Sequence, residues 1–193
     1  MAREEKVEHR DILSIIEEVI RAEFIPDDQT VMREDDTHGK KGSMVCHISA
    51  DSRSEQVLLC KFDKGEDNKS LFPYFNEVHG FLSMCDYIMF VEDTDNLFVF
   101  LIDLKDTSNS AKPQTMYAES FAAFILERIR AVKGDGIISK PVSYRKIGVK
   151  TGCVKCTTKQ YETLGYDKDY YLTLPNYHTF HTRLLMDRGI SSK

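Results

Sequence analysis

The 193-residue chain has no apolar run long enough to cross a membrane, so we expect no membrane contact. Its first residues, Met-Ala-Arg-Glu-Glu-Lys, lack the apolar stretch of a secretory signal, which predicts a cytoplasmic location. A glycine-rich phosphate loop, a Ser-His-Asp order and a nucleophile elbow are all absent from the sequence. The five cysteines are an odd number and are scattered, which indicates reduced thiols rather than a disulfide framework.

The composition is that of an ordinary globular protein, with 41% hydrophobic and 30% charged residues. The length suits one domain with a sizeable core. No internal repeat, low-complexity tract or linker interrupts the chain. We therefore predict a single domain over residues 1–193, with a core of about residues 9–150 and a C-terminal extension over 151–193.

The net charge of −5 is unevenly distributed along the chain. From Lys140 onward, 10 Lys and Arg residues face 4 Asp and Glu residues, whereas the preceding part has 16 against 27. A basic C-terminal part is compatible with contact to a polyanion. An ordinary solvated basic face explains it equally well, because no run of basic residues is dense enough to form a nucleic-acid arm.

Hydrophobic periodicity predicts two amphipathic helices, one from His9 to Phe24 and one from Gln114 to Val132, whose apolar side includes Met116, Tyr117 and Phe124. The polar stretch from Asp27 to Gly42 predicts an exposed loop. Short apolar runs predict strands at Met44–Ser49 and Gln56–Phe62, joined as a hairpin, and at Val142–Val149, Tyr170–Leu174 and Tyr177–Met186. The order of elements predicts an α/β fold, with a mixed central β-sheet flanked by helices.

The most informative segment runs from Cys85 to Asp106 and predicts a β-hairpin with its turn at Asp93–Asn96. Its second strand is apolar on both faces up to Asp103, which indicates a central, buried strand. Asp103 and Lys105 share one face of that strand, and the hairpin would bring Asp86 near Asp103. Burying such groups is costly. Two carboxylates and a lysine can hold Mg²⁺ and orient a water for attack on phosphate.

The hairpin has an acid at the start of one strand and an acid-x-Lys sequence at the end of the next strand, and a predicted helix follows. In this pattern it resembles the PD-(D/E)XK superfamily of restriction-endonuclease-like nucleases. The resemblance covers roughly residues 80–132, with Asp86, Asp103 and Lys105 at the motif positions. Cys85 stands where the superfamily has Pro, and Asp103 stands where Glu is commoner. The resemblance implies a restriction-endonuclease-like fold and the residue roles that follow.

The resemblance implies that Asp86, Asp103 and the Leu104 carbonyl hold Mg²⁺ or Mn²⁺, while Lys105 orients the attacking water. Many members add a Gln and a Tyr on the next helix. Gln114 and Tyr117 are three residues apart, a looser match. Glu77 could supply a third acid, although an exposed helix glutamate explains it better.

The function that the resemblance implies is a metal-dependent endonuclease or exonuclease that hydrolyses phosphodiester bonds of DNA. A homodimer or a larger complex would supply the choice of target. The alternative is a catalytically inactive subunit on the same fold, for nucleic-acid binding or protein assembly, and a third is an unrelated interaction domain. Candidate nucleic-acid contacts are basic residues of the C-terminal part: Arg145, Lys146, Lys150, Arg183 and Arg188.

Cys153 and Cys156 form a C-x-x-C pair that could bind zinc with His178 and His181. We do not expect this zinc site, because residues three apart on a strand face opposite ways and a lone C-x-x-C is common in loops.

Overall fold

The computed structural model of the protein describes the following parts of the chain: residues 11–34, 44–51, 53–63, 72–74, 76, 78, 82–105, 112–150, 164–175 and 179–189. They form a mixed α/β fold with two mixed sheets flanked by helices, as predicted at that level. Within these ranges no helix is both long enough and apolar enough to cross a membrane.

The helices are α1 (Ile12–Val19), α2 (Lys112–Lys133) and α3 (Thr182–Met186), with 3₁₀ turns at Ala22–Phe24 and Asp135–Ile137. The strands are β1 (Val31–Glu34), β2 (Met44–Ser49), β3 (Gln56–Cys60), β4 (Tyr87–Glu92), β5 (Leu97–Lys105), β6 (Val142–Lys150), β7 (Tyr171–Pro175) and β8 (Thr179–His181).

The central sheet has the order β3-β4-β5-β6-β7, so β5 lies in the middle as predicted. The β3–β4 and β4–β5 pairs are antiparallel, whereas β5, β6 and β7 are mutually parallel. Helix α2 makes the crossover that a parallel β5–β6 connection requires. Every residue of β5 before Lys105 is buried, which confirms the prediction of a strand that is covered on both faces.

Helices α1 and α2 pack on one face of this sheet, which we call the helix-covered face. The predicted apolar side of α2 is partly wrong, because Met116, Tyr117 and Phe124 are exposed. The buried side instead begins with small residues, Ala118 and Ala122, which let the helix approach the sheet closely. The predicted first helix is interrupted after Val19, and Ala22–Phe24 continues it only as a 3₁₀ turn.

A three-stranded sheet, β1-β2-β8, packs on the other face of the central sheet, which we call the second face. The Phe100 and Phe180 rings meet edge to face there, with their centroids 5.5 Å apart. The predicted loop at Asp27–Gly42 is therefore wrong over β1, where Val31 and Met32 are buried. Two consecutive apolar residues are too few to show the alternation that identifies a strand in a sequence.

The predicted hairpin of Met44–Ser49 with Gln56–Phe62 is wrong, because β2 and β3 belong to different sheets. Strand β2 pairs with β1 and with β8, and β3 pairs with β4. Strand β3 is covered on both faces, with Leu58 in one core and Leu59 in the other. Such a strand belongs in the larger sheet.

The C-terminal segment, predicted as an extension, contributes to both layers. Strand β7 is an edge of the central sheet, close to the predicted Tyr170–Leu174. The predicted strand at Tyr177–Met186 is right only over β8, because Thr182–Met186 is helix α3. Buried Thr182, Leu185 and Met186 have the spacing of one helical face.

Candidate active site

The β4–β5 hairpin brings Asp86 and Asp103 together as the sequence predicts. The strand register pairs Tyr87 with Ile102 and Ile88 with Leu101, so the next pair outward is Asp86 with Asp103. Alternation from Ile88 and Leu101 places both acids on the helix-covered face. Directly opposed residues of an antiparallel pair lie close enough for their side chains to interact.

Asp86 is anchored to the backbone of the partner strand. Its Oδ2 accepts a hydrogen bond of 2.5 Å from the Leu104 N–H. Burial raises the pKa of Asp86 above the usual range, although this hydrogen bond and the Lys105 ammonium both favour the ionised form. The Leu104 bond therefore fixes one carboxylate oxygen of Asp86 in place, directly beside the end of β5.

Asp103 is fully buried, and neither of its carboxylate oxygens has a hydrogen-bond partner among the described residues. Lys105 Nζ lies 3.0 Å from Asp103 Oδ2, as an ion pair outside hydrogen-bonding geometry. Burial, followed by the charge of Asp86, raises the pKa of Asp103 to about 8, against the opposing effect of Lys105. The raised pKa shows that burial and the neighbouring Asp86 charge make the ionised form of Asp103 costly, a cost that positive charge nearby offsets.

Two residues after β3 also act on this site and were missed by the sequence reasoning. The charge of Asp63 raises the pKa values of both Asp86 and Asp103, and the charge of Lys61 lowers the pKa of Asp86. Both residues follow the apolar run of β3, much as Asp103 and Lys105 end the run of β5. The signal that could have found them is this change from apolar to charged at the end of a buried strand.

Cys85 lies beside the two acids as a buried thiol. Its Sγ donates a hydrogen bond of 3.1 Å to the Tyr87 carbonyl. Burial, together with the charges of Asp103 and Asp86, raises the pKa of Cys85 well above the usual range. The thiol is therefore neutral and acts as a small apolar neighbour of the acids.

The accessory residues predicted from the sequence are only partly described. Gln114 is half-buried in the first turn of α2, and Tyr117 is exposed on that helix. Glu77 lies outside the described residues, as do Cys153, Cys156 and His178, whereas His181 ends β8. Within the described ranges, no group of three or more His, Cys, Asp or Glu residues could hold a metal ion.

Lys146 and Lys150 lie on the helix-covered face of β6. Lys150 pairs with Lys105 in the β5–β6 register, at the end of the sheet where the acids lie. Lys146 is buried, and its Nζ donates a hydrogen bond of 2.5 Å to Glu119 Oε2 on α2. Lys150 is thus the candidate nucleic-acid contact that lies at the strand end beside Lys105.

The three arginines among the candidate contacts lie elsewhere. Arg145 points to the second face, where its guanidinium lies over three aromatic rings at 4.9–5.4 Å from their centroids. Arg183 forms ion pairs with Asp187 and, at 4.0 Å, with Asp93 in the β4–β5 turn. Arg188 donates a hydrogen bond to the Leu164 carbonyl. The basic residues therefore do not form one continuous face.

In comparisons with known proteins, no family model, no curated protein and no solved structure matches this chain significantly.

Proposed function

We propose that this protein is a Mg²⁺-dependent nuclease that hydrolyses phosphodiester bonds of DNA, on a restriction-endonuclease-like fold. One observation carries the proposal, namely that the fully buried carboxylate of Asp103 has no hydrogen-bond partner among the described residues. A buried carboxylate normally accepts several hydrogen bonds, and here only the ion pair with Lys105 offsets the cost of burying it. A cation bound between Asp103 and Asp86 would remove that cost.

The residues at this site fit a magnesium ion. Mg²⁺ binds proteins through one or two carboxylates and keeps several waters, so Asp86 and Asp103 are enough protein side chains. Asp86 Oδ2 is engaged by the Leu104 N–H, which leaves Oδ1 as the oxygen available for the metal. The Leu104 carbonyl is the third ligand that we assign.

When bound, Mg²⁺ would polarise the phosphate and lower the pKa of a coordinated water. Lys105 has its ammonium 3.0 Å from Asp103 Oδ2, in position to orient that water and to neutralise charge that develops on the phosphate. The Lys105 side chain is 20% exposed, whereas Asp103 is fully buried, so the lysine lies between the acids and solvent. This arrangement supports hydrolysis at the C-terminal end of β5.

The layout of the described elements supports the same proposal. An antiparallel hairpin, β4–β5, carries the acids, α2 follows it, and β6 returns parallel to β5. In open α/β sheets, ligands bind beyond the carboxyl ends of parallel strands, and Asp103 and Lys105 end β5 there. As the basic residues are dispersed, we assign the choice of target to a homodimer or a larger complex.

One observation favours the second candidate function, a catalytically inactive subunit on this fold. The Lys105 ammonium already faces Asp103 as a counter-ion, so the acid has a charge partner without a metal. If this ion pair is permanent, Asp86, Asp103 and Lys105 stabilise the end of the hairpin and bind no Mg²⁺. The chain would then serve in nucleic-acid binding or protein assembly.

The two functions are separated by measuring Mn²⁺ binding by electron paramagnetic resonance and cleavage of fluorescein-labelled DNA with Mg²⁺. We expect the wild type to bind one Mn²⁺ per chain and to cleave DNA. Asp103→Asn should lose both properties. Asp95→Asn is the matched control, because it makes the same change in the exposed turn of the same hairpin. A folded wild type that neither binds Mn²⁺ nor cleaves DNA would leave the inactive subunit as the better function.

A further inference from the structure

Strand β3 is an edge of the central sheet in the described part of the chain, so one side of its backbone has no neighbouring strand there. At Leu59 the Gln29 side chain makes the hydrogen bonds that such a strand would make. Its Oε1 accepts a bond of 2.6 Å from the Leu59 N–H, and its Nε2 donates one of 3.2 Å to the Leu59 carbonyl. The backbone groups of Leu59 therefore point away from β4.

The same edge continues at Val57 without such a cover. In an antiparallel pair, residues alternate between those whose backbone groups bond to the partner strand and those whose groups point away from it. Val57 lies two residues before Leu59, so its N–H and C=O also point away from β4. No other described residue forms a hydrogen bond with them. A free donor and acceptor on an edge strand are a template for pairing with another extended chain.

Val57 also lines a groove of about 500 Å³ beside this edge, which we call the β3 groove. Its apolar lining includes Pro26 and two isoleucines, Ile20 and Ile25, that pack against the core of the helix-covered face. All four residues are half-buried, so each leaves apolar surface toward the groove. The volume is within the range of protein pockets that hold small ligands, so apolar side chains of a peptide have room here.

The charges around the β3 groove indicate the kind of partner. The charged residues that line it, Glu17 and Asp27, are both acidic and exposed. Residues 17–28 contain five acids and a single basic residue, Arg21, which forms an ion pair with Glu23. DNA phosphates would be repelled here, and a second copy of the chain would bring the same acids to the edge. A chain with Lys or Arg beside apolar residues has the complementary charge.

We propose that the edge of β3 binds a short, extended, basic segment of a partner protein by β-strand addition. One residue of that segment exchanges two backbone hydrogen bonds with Val57. Its apolar side chains pack on Ile20 and Ile25, and its Lys or Arg side chains face Glu17 and Asp27. In this mode of recognition the main-chain bonds give affinity, whereas the side chains give specificity.

This surface is separate from the candidate active site. Val57 pairs with Val91, near the end of β4, whereas Asp86 directly precedes the first residue of that strand. The β3 groove and the two acids therefore lie toward opposite ends of β4. The inference goes beyond the proposed nuclease function and does not depend on it, because no metal or DNA is needed for the partner to bind.

The first measurement is fluorescence anisotropy of fluorescein-labelled nine-residue peptides with the full chain. One peptide alternates Lys and Val, and the other alternates Glu and Val. We expect the basic peptide to bind at least tenfold more tightly than the acidic one. Glu17→Lys with Asp27→Lys should remove this preference. The matched control is Glu18→Lys with Asp95→Lys, which changes the net charge equally at two exposed acids outside the β3 groove and should keep the preference.

The second measurement tests the backbone pairing directly. In the ¹⁵N-labelled wild type, saturating basic peptide should slow hydrogen exchange of the Val57 amide at least fivefold and leave the Asp95 amide in the exposed turn unchanged. Val57→Pro removes the N–H at a place where an edge strand tolerates proline, and it should weaken binding about fivefold. The exchange measurement keeps the test decisive even if this variant unfolds.

Three results would overturn the proposal. The first is no binding of the basic peptide at millimolar concentration, or equal losses in both charge-reversal variants, which would show attraction to net charge alone. The second is bound peptide with unchanged exchange of the Val57 amide, which would exclude strand addition. The third is a wild-type dimer in sedimentation velocity that Val57→Pro converts to a monomer, which would make a second copy of the chain the occupant of this edge.

Discussion

The Tyr87 hydroxyl makes two hydrogen bonds to the backbone of Arg33, donating to its carbonyl and accepting from its N–H, each at 2.8 Å. Tyr87 is the first residue of β4, and Arg33 lies in β1, so one side chain joins the two sheets. The contact lies directly after Asp86 in the chain. It therefore fixes the end of the hairpin that carries the candidate site.

Tyr87→Phe should lower the free energy of unfolding by about 1–3 kcal/mol, because both Arg33 groups lose a partner in a partly buried place. Urea denaturation followed by circular dichroism measures the change. Tyr74→Phe is the control, since Tyr74 is 92% exposed and should change stability by less than about 0.5 kcal/mol. Equal stability of the Tyr87 variant and the wild type would contradict the described link between the sheets.

Because the pKa of Asp103 is raised, we expect an unusual pH dependence of stability in the metal-free protein. The pKa of the Asp103 carboxyl group is raised to about 8 in the folded chain, from an ordinary value of 3.8 for an aspartic acid. Between these pH values the folded state binds more protons than the unfolded state, so the free energy of unfolding should fall as the pH rises. The loss should be on the order of a few kcal/mol and should level off above about pH 8.

Asp103→Asn should remove this dependence, because an amide does not titrate. Denaturation of both proteins from pH 5 to pH 9 in the presence of a chelator provides the measurement. The variant should be the more stable protein at pH 9, with a difference that shrinks toward pH 5. Parallel pH profiles for the two proteins would show that Asp103 titrates near its ordinary pKa.

Metal ions should stabilise the folded chain through Asp103. A ligand that binds only the folded state adds about 2.7 kcal/mol at a hundred times its dissociation constant. Mg²⁺ should therefore raise the Tm of the wild type in thermal melts, leave Asp103→Asn unchanged and raise the Tm of Asp95→Asn as in the wild type. A rise of the same size in all three proteins would place the metal elsewhere.

The hairpin could be predicted because its signals are local. Period-two alternation and the turn at Asp93–Asn96 determine the register, and the register places Asp86 opposite Asp103. Asp93 Oδ1 accepts hydrogen bonds from the Asp95 and Asn96 N–H groups, so the turn residues themselves fix the reversal. This part of the site needed no information from distant residues.

The partners of β2, the effects of Lys61 and Asp63 on the site, and the strand position of Gly148 could not be predicted in the same way. They depend on which strands meet across the sheets, and strands distant in sequence meet only after long-range pairing. Gly148 shows the difficulty. A glycine within a strand indicates a locally weakened strand or a close approach of another group to the backbone, but it does not identify the neighbouring residue. Only the β5–β6 and β6–β7 registers place it between Asp103 and Thr173.

Thr182→Val should destabilise the protein at the junction between β8 and α3. The buried Glu55 carboxylate accepts a hydrogen bond from the Thr182 hydroxyl through Oε2, and its Oε1 has no partner in the described part of the chain. Removing the hydroxyl leaves a buried charged group with fewer hydrogen bonds, which costs about 1–3 kcal/mol.

Urea denaturation compares Thr182→Val with Thr182→Ser, which keeps the hydroxyl. The serine variant should retain more than half of the difference between the valine variant and the wild type. A valine variant as stable as the wild type would show that Glu55 does not depend on Thr182.

The basic residues should contribute unequally to DNA affinity. Lys150 lies beside Lys105 at the strand ends, whereas Arg183 is paired with Asp93 at the opposite end of the β4–β5 hairpin. On duplex DNA, each neutralised phosphate adds roughly 0.9 to the slope of log affinity against log salt. Lys150→Gln should therefore reduce that slope by about one, and Arg183→Gln, the matched control, should not change it.

The measurement is fluorescence anisotropy of labelled duplex DNA, with Ca²⁺ in place of Mg²⁺, at several salt concentrations. Ca²⁺ supplies the charge of a divalent cation, and its looser geometry suits binding better than hydrolysis. Equal slopes for both variants would mean that DNA does not approach over Lys150. A folded wild type without detectable DNA affinity at low salt would contradict DNA as the partner, because electrostatic attraction is strongest there. The surplus of positive charge after Lys140 would then be a solvated surface or a contact between subunits.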